Sequence, residues 1–377
     1  MTRTALVGAA IFDGTALHDD HALLLEDDRI LDISPTLPAG FVPTMLDGGV
    51  LAPGLLDLQV NGGGGLMVGP DTDTAMLDRI CATHAALGAT GILPTLITDS
   101  PATTARVIEA AVACRHPGLA GLHLEGPHLD PRRKGAHDPA LIRPMTDADC
   151  DLLVAAAGRL PALMVTLAPA SASLEQIARL DRAAVIVSLG HAEATHADAT
   201  AAMAAGARCV THLFNAMSQL GHREPGMVGA ALTGQVHAGL IADGHHSHLA
   251  SLRLALAARP DGLFLVTDAM AVAGTDADHF MLNGRKVWRH DGRLVLEDGT
   301  LAGADLTLPR AIALLVHDLG TPLVRALAMA TSIPATLIGA DARRGHIAPG
   351  RRADLVHLGA DLDLRACWLA GTQVAQA

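Results

Sequence analysis

Acidic and imidazole side chains recur in this chain directly after short apolar runs. Leu122-His123-Leu124-Glu125, Leu189-Gly190-His191, Val210-Thr211-His212 and Val266-Thr267-Asp268 each close such a run. Two imidazoles and a carboxylate that leave a fourth position open make a common catalytic zinc set. Glu125, His191 and His212 are therefore the candidate ligands of one divalent ion. Such an ion lowers the pKa of water to about 7, so a hydroxide nucleophile is available at neutral pH. One buried histidine alone is usually satisfied by a neighbour. Three such positions, one a charged Glu inside an apolar run, ask for a shared partner.

The other candidates have two readings each. Asp268 can take a proton from water and pass it to a leaving group, or it can cap the turn after a strand. His137, at the end of Arg132-Arg133-Lys134-Gly135-Ala136-His137, can polarise a carbonyl or hold a hydroxyl, or it can be a solvated loop residue. The basic residues before it read as an exposed loop. Asn215 and Arg223 belong to one polar loop. Arg223 can fork onto a phosphate or pair with Glu224 at the surface. His245 and His246 are alike by position. The glycines Gly62–Gly65 lack the spacing of a phosphate loop and are expected to let the backbone pass close to substrate or metal.

These residues need elements to carry them. From Leu51-Ala52-Pro53-Gly54 onward, short apolar strands alternate with Ala-rich helical stretches. Eight strands are predicted: Leu55–Val60, Gly91–Leu96, Gly121–Glu125, Leu163–Ala168, Val185–Leu189, Cys209–Leu213, His237–Ala242 and Leu263–Thr267. Helices are predicted between them, among them Thr72–Leu87, Thr103–Arg115 and Ala194–Ala205. This is the (β/α)8 count, and such barrels place active-site groups where strands end. Strand texture at both chain ends (Thr4–Ile11, Ala22–Glu26, Arg29–Ile33, then Ala353–Leu358 and Cys367–Leu369) predicts one small β domain from residues 1–52 and 345–377. The barrel then occupies 53–344. Asn283-Gly284, Asp291-Gly292 and Asp298-Gly299 mark an inserted hairpin pair near 281–301. Two helices, near Leu306–Leu319 and Leu323–Leu337, follow it.

The bulk composition narrows the function classes. The net charge of −12, with no run of Lys or Arg, argues against a nucleic-acid surface. An acidic protein that binds an anion must gather its positive groups locally. Five cysteines without a CxxC pair read as free thiols in a reducing compartment. With no signal arrangement and no charge-free membrane span, a soluble cytoplasmic protein is expected.

His123-Leu124-Glu125-Gly126-Pro127, Thr211-His212-Leu213-Phe214-Asn215-Ala216-Met217 and Arg223-Glu224-Pro225-Gly226 together resemble the amidohydrolase superfamily, and within it the deacetylases of N-acetylglucosamine 6-phosphate. Pro53-Gly54-Leu55-Leu56-Asp57 and the tail Ala348-Pro349-Gly350-Arg351-Arg352-Ala353-Asp354-Leu355 are shared more widely. The resemblance runs over nearly the whole chain. It implies a metal on Glu125, His191 and His212, Asp268 as acid and base, and His137 beside the acetyl carbonyl or sugar hydroxyls. Asn215, Ala216, Arg223 and His246 would hold the sugar and its phosphate. Arg223 and His246 would reach into a neighbouring subunit's site, which implies a homodimer. The implied reaction yields glucosamine 6-phosphate and acetate in amino-sugar catabolism.

Many members carry HxH at the end of the first strand for a second metal, but here the segment is Gln59-Val60-Asn61. Amides are poor ligands beside imidazoles, so one metal per subunit is expected: Zn2+, with Fe2+, Co2+ or Ni2+ also compatible with this donor set. The only lysines, Lys134 and Lys286, lie away from the fourth strand, which argues against a carbamylated two-metal site. Two rivals remain: a deacetylase for the galactosamine epimer, and a silent scaffold on the same barrel. The scaffold has no need of an intact Glu125, His191, His212 and Asp268.

Overall fold

The computed structural model describes residues 3–376. Eight strands follow one another round a barrel: β1 (Leu56–Val60), β2 (Gly91–Ile97), β3 (Leu122–Glu125), β4 (Leu163–Leu167), β5 (Ile186–Leu189), β6 (Cys209–Val210), β7 (His237–Leu240) and β8 (Leu263–Leu265). Neighbours from β1 to β8 pair in parallel register. The crossovers are α1 (Thr74–Ala86), α2 (Pro101–Ala113), α3 (Asp147–Ala157), α4 (Leu174–Arg182), α5 (His196–Ala204), α6 (Gly226–Thr233) and α7 (Leu249–Ala258). Local sequence sets several of their starts. Thr146 with Asp149, Ser173 with Gln176, and Thr195 with Asp198 form reciprocal caps that satisfy the first free N–H groups. Small side chains then let helices approach closely, as where α5, burying Ala199 and Ala202, lies against α6.

Closure between β8 and β1 is not a regular ladder. At the C-terminal rim the Asp268 N–H donates to Gln59 O (3.1 Å) and the Asn61 N–H to Ala269 O (2.8 Å). The buried Asp57 carboxylate adds a tie, accepting from the Thr267 N–H (3.2 Å) and hydroxyl (2.5 Å). At the opposite end a helix break supplies the acceptors. Leu56 N–H donates to Ala330 O and Leu265 N–H to Met329 O, both at 2.8 Å. The helix expected over Leu323–Leu337 is accordingly two, Leu323–Ala328 and Ser332–Leu337. Pro334 has no N–H to offer the Ala330 carbonyl, so a continuous helix would lose that bond in any case.

Both chain ends build sheets beside the barrel. A four-stranded sheet holds Arg3–Val7, Ala22–Glu26, Arg29–Ser34 and Val42–Met45. A six-stranded sheet combines Ala10–Phe12, Leu17–His18 and Val50–Pro53 with Leu355–Leu358, Leu364–Leu369 and Thr372–Gln376. Leu6, Ile11, Leu23, Ile30, Leu51, Leu355 and Trp368 fill the space between them. The strand expected over Thr4–Ile11 is broken at Gly8, whose φ of +96° lets the chain step from one sheet to the other. The inserted segment is a four-stranded antiparallel sheet, His279–Leu282, Arg285–His290, Arg293–Val295 and Leu301–Ala304. Its apolar side, with Phe280, Leu282, Val287 and Leu294, packs on Met270 and Val272 just past β8. No helix among the described residues is long and apolar enough to cross a membrane. All five cysteines are free and buried.

Candidate active site

Side chains alternate across a strand, so Asp57, Gln59 and Asn61 share one face of β1 and its extension, and His123 and Glu125 share one face of β3. That face is the barrel interior. Three further groups enter by a different device. Strands expected to run to Leu213 and Thr267 stop at Val210 and Leu265. The chain then turns through positive φ at His191 (+45°), His212 (+28°) and Asp268 (+53°). Non-glycine residues take such conformations at a cost of about 1–3 kcal/mol each, and they cluster where function demands an orientation. Phe214 and Ala216 continue the pattern, at +79° and +50°.

The result is a tight cluster. His212 Nε2 stands 3.1 Å from both Glu125 Oε1 and His191 Nε2, and His191 Nε2 is 3.4 Å from Glu125 Oε1. Together they form a buried three-residue group able to hold a metal ion. The donor set fits a divalent cation. His191 gives its Nδ1–H to Arg133 O (2.8 Å), which leaves Nε2 as a lone pair aimed at the other two ligands. Ligand separations of 3.1–3.4 Å are close to the edge of a tetrahedron with bonds of roughly 2.0–2.1 Å. Burial opposes the charge on Glu125, yet the two imidazoles hold its carboxyl well below the usual range. Burial likewise opposes the charge on His212, but Glu125 raises its pKa.

Asp268 lies beside this group and is held by amides. Asn61 Nδ2 donates to its Oδ1 at 2.7 Å, and Gln59 Nε2 at 3.2 Å. The second Gln59 proton goes to Glu125 Oε1 at 3.0 Å, so one amide bridges the two carboxylates. Burial, then the charge of Glu125, push Asp268 up to about 6. Sequence reasoning discounted Gln59 and Asn61 as metal ligands and missed this bracing role. The signal available was two amides spaced to share a strand face with the site.

His137 is buried rather than a solvated loop residue, and its Nε2 is 3.9 Å from Glu125 Oε2. The Thr98 N–H donates to its Nδ1 (3.3 Å), so the neutral ring carries its proton on Nε2. Burial, and then His191, lower its pKa to about 3. Thr98 was not foreseen; nothing in its local sequence marks it. His123 is a different case. Its ring bonds Leu58 O (3.0 Å) and Thr166 Oγ1 (2.7 Å) inside the barrel, which makes it a brace between strands and not a ligand.

These groups open into a cavity of about 500 Å³ that Asn215, Ala216 and His246 also line, with Leu282 and Thr300 of the inserted segment as its roof. His246, expected to reach into a neighbouring subunit's site, instead lines the cavity of its own chain, its Nδ1 fixed by Asp243 at 2.7 Å, whereas His245 is exposed. Arg132 and Arg133, read from sequence as part of an exposed loop, stand at the cavity mouth, each paired with an acidic partner, Asp130 and Glu193. Arg223 is exposed and does not line the cavity. Gly62–Gly65 do not line it either. They make a tight turn, in which a Cβ on Gly62 would sit 2.2 Å from Leu66 O.

Residues 50–374 match the model of the amidohydrolase family. The chain belongs to that family. It is 37% identical over 379 residues, 98% of this chain and 95% of the relative, to an N-acetylgalactosamine-6-phosphate deacetylase of Shewanella sp. (strain ANA-3). It superposes with a TM-score of 0.94 at 33% identity on the crystal structure of N-acetylglucosamine-6-phosphate deacetylase from Pasteurella multocida, covering 98% of this chain and 99% of that one. A mutant of the Mycobacterium smegmatis enzyme in complex with N-acetyl-D-glucosamine-6-phosphate gives a TM-score of 0.91 at 32% identity, with both chains fully covered. This amidohydrolase is a hydrolase of amide bonds on a barrel with a small β domain.

Proposed function

We propose that the chain hydrolyses N-acetyl-D-glucosamine 6-phosphate to D-glucosamine 6-phosphate and acetate. The observation that carries this reading is Asp268, braced by Gln59 and Asn61, beside the convergent Glu125, His191 and His212 in one roofed cavity. A divalent cation on those three residues, Zn2+ by preference, supplies Lewis acidity to the acetyl carbonyl and makes water nucleophilic near neutral pH. The protein's own groups do the rest. His137 donates its Nε2–H to the carbonyl oxygen as negative charge develops there. Asp268 accepts the proton of the water that adds to the carbonyl carbon. It returns that proton to the amide nitrogen as the C–N bond breaks, so acetate and the free amine leave.

Asn215, Ala216 and His246 line the same cavity and are assigned to the sugar and its phosphate. Arg132 and Arg133 already have acidic partners. The phosphate is therefore assigned to Arg223 of a second copy in a homodimer, a role that suits an exposed guanidinium outside its own cavity. The assay is acetate release from the purified protein, with and without a chelator. No release from the metal-loaded protein would sink the reading. A second reading, the galactosamine epimer, is favoured by the Shewanella relative. The ratio of kcat/KM on the two epimers decides between them.

A further inference from the structure

A second cleft lies at the other end of the barrel, below the starts of β3 and β4 and against the sheet that carries Arg29. Its volume is about 650 Å³, more than the active-site cavity. Arg29, Arg343, Arg344, Arg351 and Arg352 line it, with His116, and no Asp or Glu does. In a chain of net charge −12 that concentration of one sign needs a reason.

Two of the arginines are structural. Arg344 and Arg352 share Asp354 (3.5 and 2.5 Å) and both donate to Pro117 O (2.6 and 2.9 Å). The others are not neutralised in this way. Arg29 is 3.5 Å from Asp28 and exposed. Among the described residues Arg351 hydrogen-bonds a backbone carbonyl, that of Arg344 at 3.4 Å, and no carboxylate. Among the described residues Arg343 has no carboxylate within ion-pair distance, and it is exposed. Among the described residues, five guanidinium groups thus have ion pairs with two carboxylates, Asp28 and Asp354. Burial lowers the pKa of Arg344 to about 10, and its neighbours Arg352 and Arg343 add to that while Asp354 opposes it.

We propose that this cleft binds a small phosphorylated anion. Guanidinium forks match phosphoryl oxygens in pairs, and a recessed cleft of this volume suits a small molecule rather than a flat macromolecular surface. The backbone around the cleft is already tied across the seam. Ile30 N–H donates to Arg351 O (2.9 Å), and Gly350 N–H donates to Ile30 O (2.8 Å). A ligand held by Arg29 and Arg351 of the small β domain and by Arg343 of the barrel would join the two and stabilise the folded chain.

The test is calorimetric titration of the metal-loaded full chain in chloride buffer, with fructose 1,6-bisphosphate and inorganic phosphate as separate probes. We expect one bisphosphate per chain and a rise in Tm. In Arg343→Gln/Arg351→Gln the Kd should rise about tenfold or more, with turnover and unliganded Tm preserved. Arg29→Gln, across the seam, should weaken binding independently. Phosphate binding as tightly as the bisphosphate would make free phosphate the natural source; a clear preference for the bisphosphate would make it a phosphorylated metabolite. Equal affinity in wild type and double variant, as for a probe that enters the catalytic cavity, overturns the proposal. So does the absence of heat and Tm shift with both probes.

Discussion

The C-terminal rim of the barrel gathers buried Glu125 and three buried imidazoles around the half-buried Asp268 and roofs them with the inserted sheet. The N-terminal face gathers five arginines in an open cleft. At each end like groups stand closer than their charges favour, and at each end protein groups compensate only in part. Above, the Gln59 and Asn61 amides brace the carboxylates; below, Asp354 serves two guanidinium groups. The difference lies in rigidity. Buried ligands, with His191 Nδ1 tied to Arg133 O and Glu125 Oε1 to the Gln59 amide, suit a fixed ion and bond-breaking chemistry, whereas exposed arginines on long stems suit reversible capture.

The contrast can be tested by damage, starting where the loss should be greatest. His212→Ala removes one of three ligands, so metal per chain should fall well below one and turnover should vanish; elemental analysis beside an acetate assay reads both. Asp268→Asn should keep the metal but cost about 10²–10⁴ in kcat, the usual range for a lost acid and base. Retained turnover in that variant would contradict the assignment. Gln59→Leu leaves two carboxylates without their shared donor. A loss of about 10–100-fold in activity or metal affinity is expected, and an unaffected enzyme would reduce the amide to a spectator. At the opposite face, Arg343→Gln/Arg351→Gln should change kcat/KM by less than about twofold, since those residues touch nothing in the catalytic cavity; a larger loss would join the two ends functionally.

The smallest effect concerns the closure that separates them. Burial pushes Asp57 up to about 7, although its bonds to Thr267 and Gln59 pull the other way. A carboxyl raised above its unfolded value of about 3.9 holds its proton longer in the folded chain. Its contribution to stability is therefore present at acid pH and is lost as pH rises through about 7. Urea unfolding at pH 5 and pH 8 should show that Asp57→Asn loses less stability over this interval than wild type does. A steeper loss in the variant would reverse the sign.

The eight-strand count, the antiparallel insert and the residues Glu125, His191, His212 and Asp268 were legible in the chain; His137 and Asn215 stood between two readings each, and Ala216 and His246 were named only through the family resemblance, though all of them line one cavity. Periodicity and residue type are local properties, and Glu125, His191, His212 and Asp268 each end or follow an apolar run that announces a strand. Strand ends were less legible, because the turns at His191, His212 and Asp268 use left-handed backbone that no glycine advertises. The split helix around Met329 and Ala330 had one local sign, Pro334, but the use made of the break, as acceptors for Leu56 and Leu265, depends on residues more than 270 and more than 60 positions away.

By itself, then, the sequence determined which ligands exist, how often strands and helices alternate, and that no CxxC pair is present. The tertiary structure alone decided that Gln59 bridges two carboxylates, that Thr98 sets the His137 tautomer, and that Arg29 meets Arg351 and Arg352 around one cleft. Side-chain chemistry and hydrophobic period are written residue by residue. Closing a barrel fixes which distant residues must share a space, and no local window of sequence contains that information.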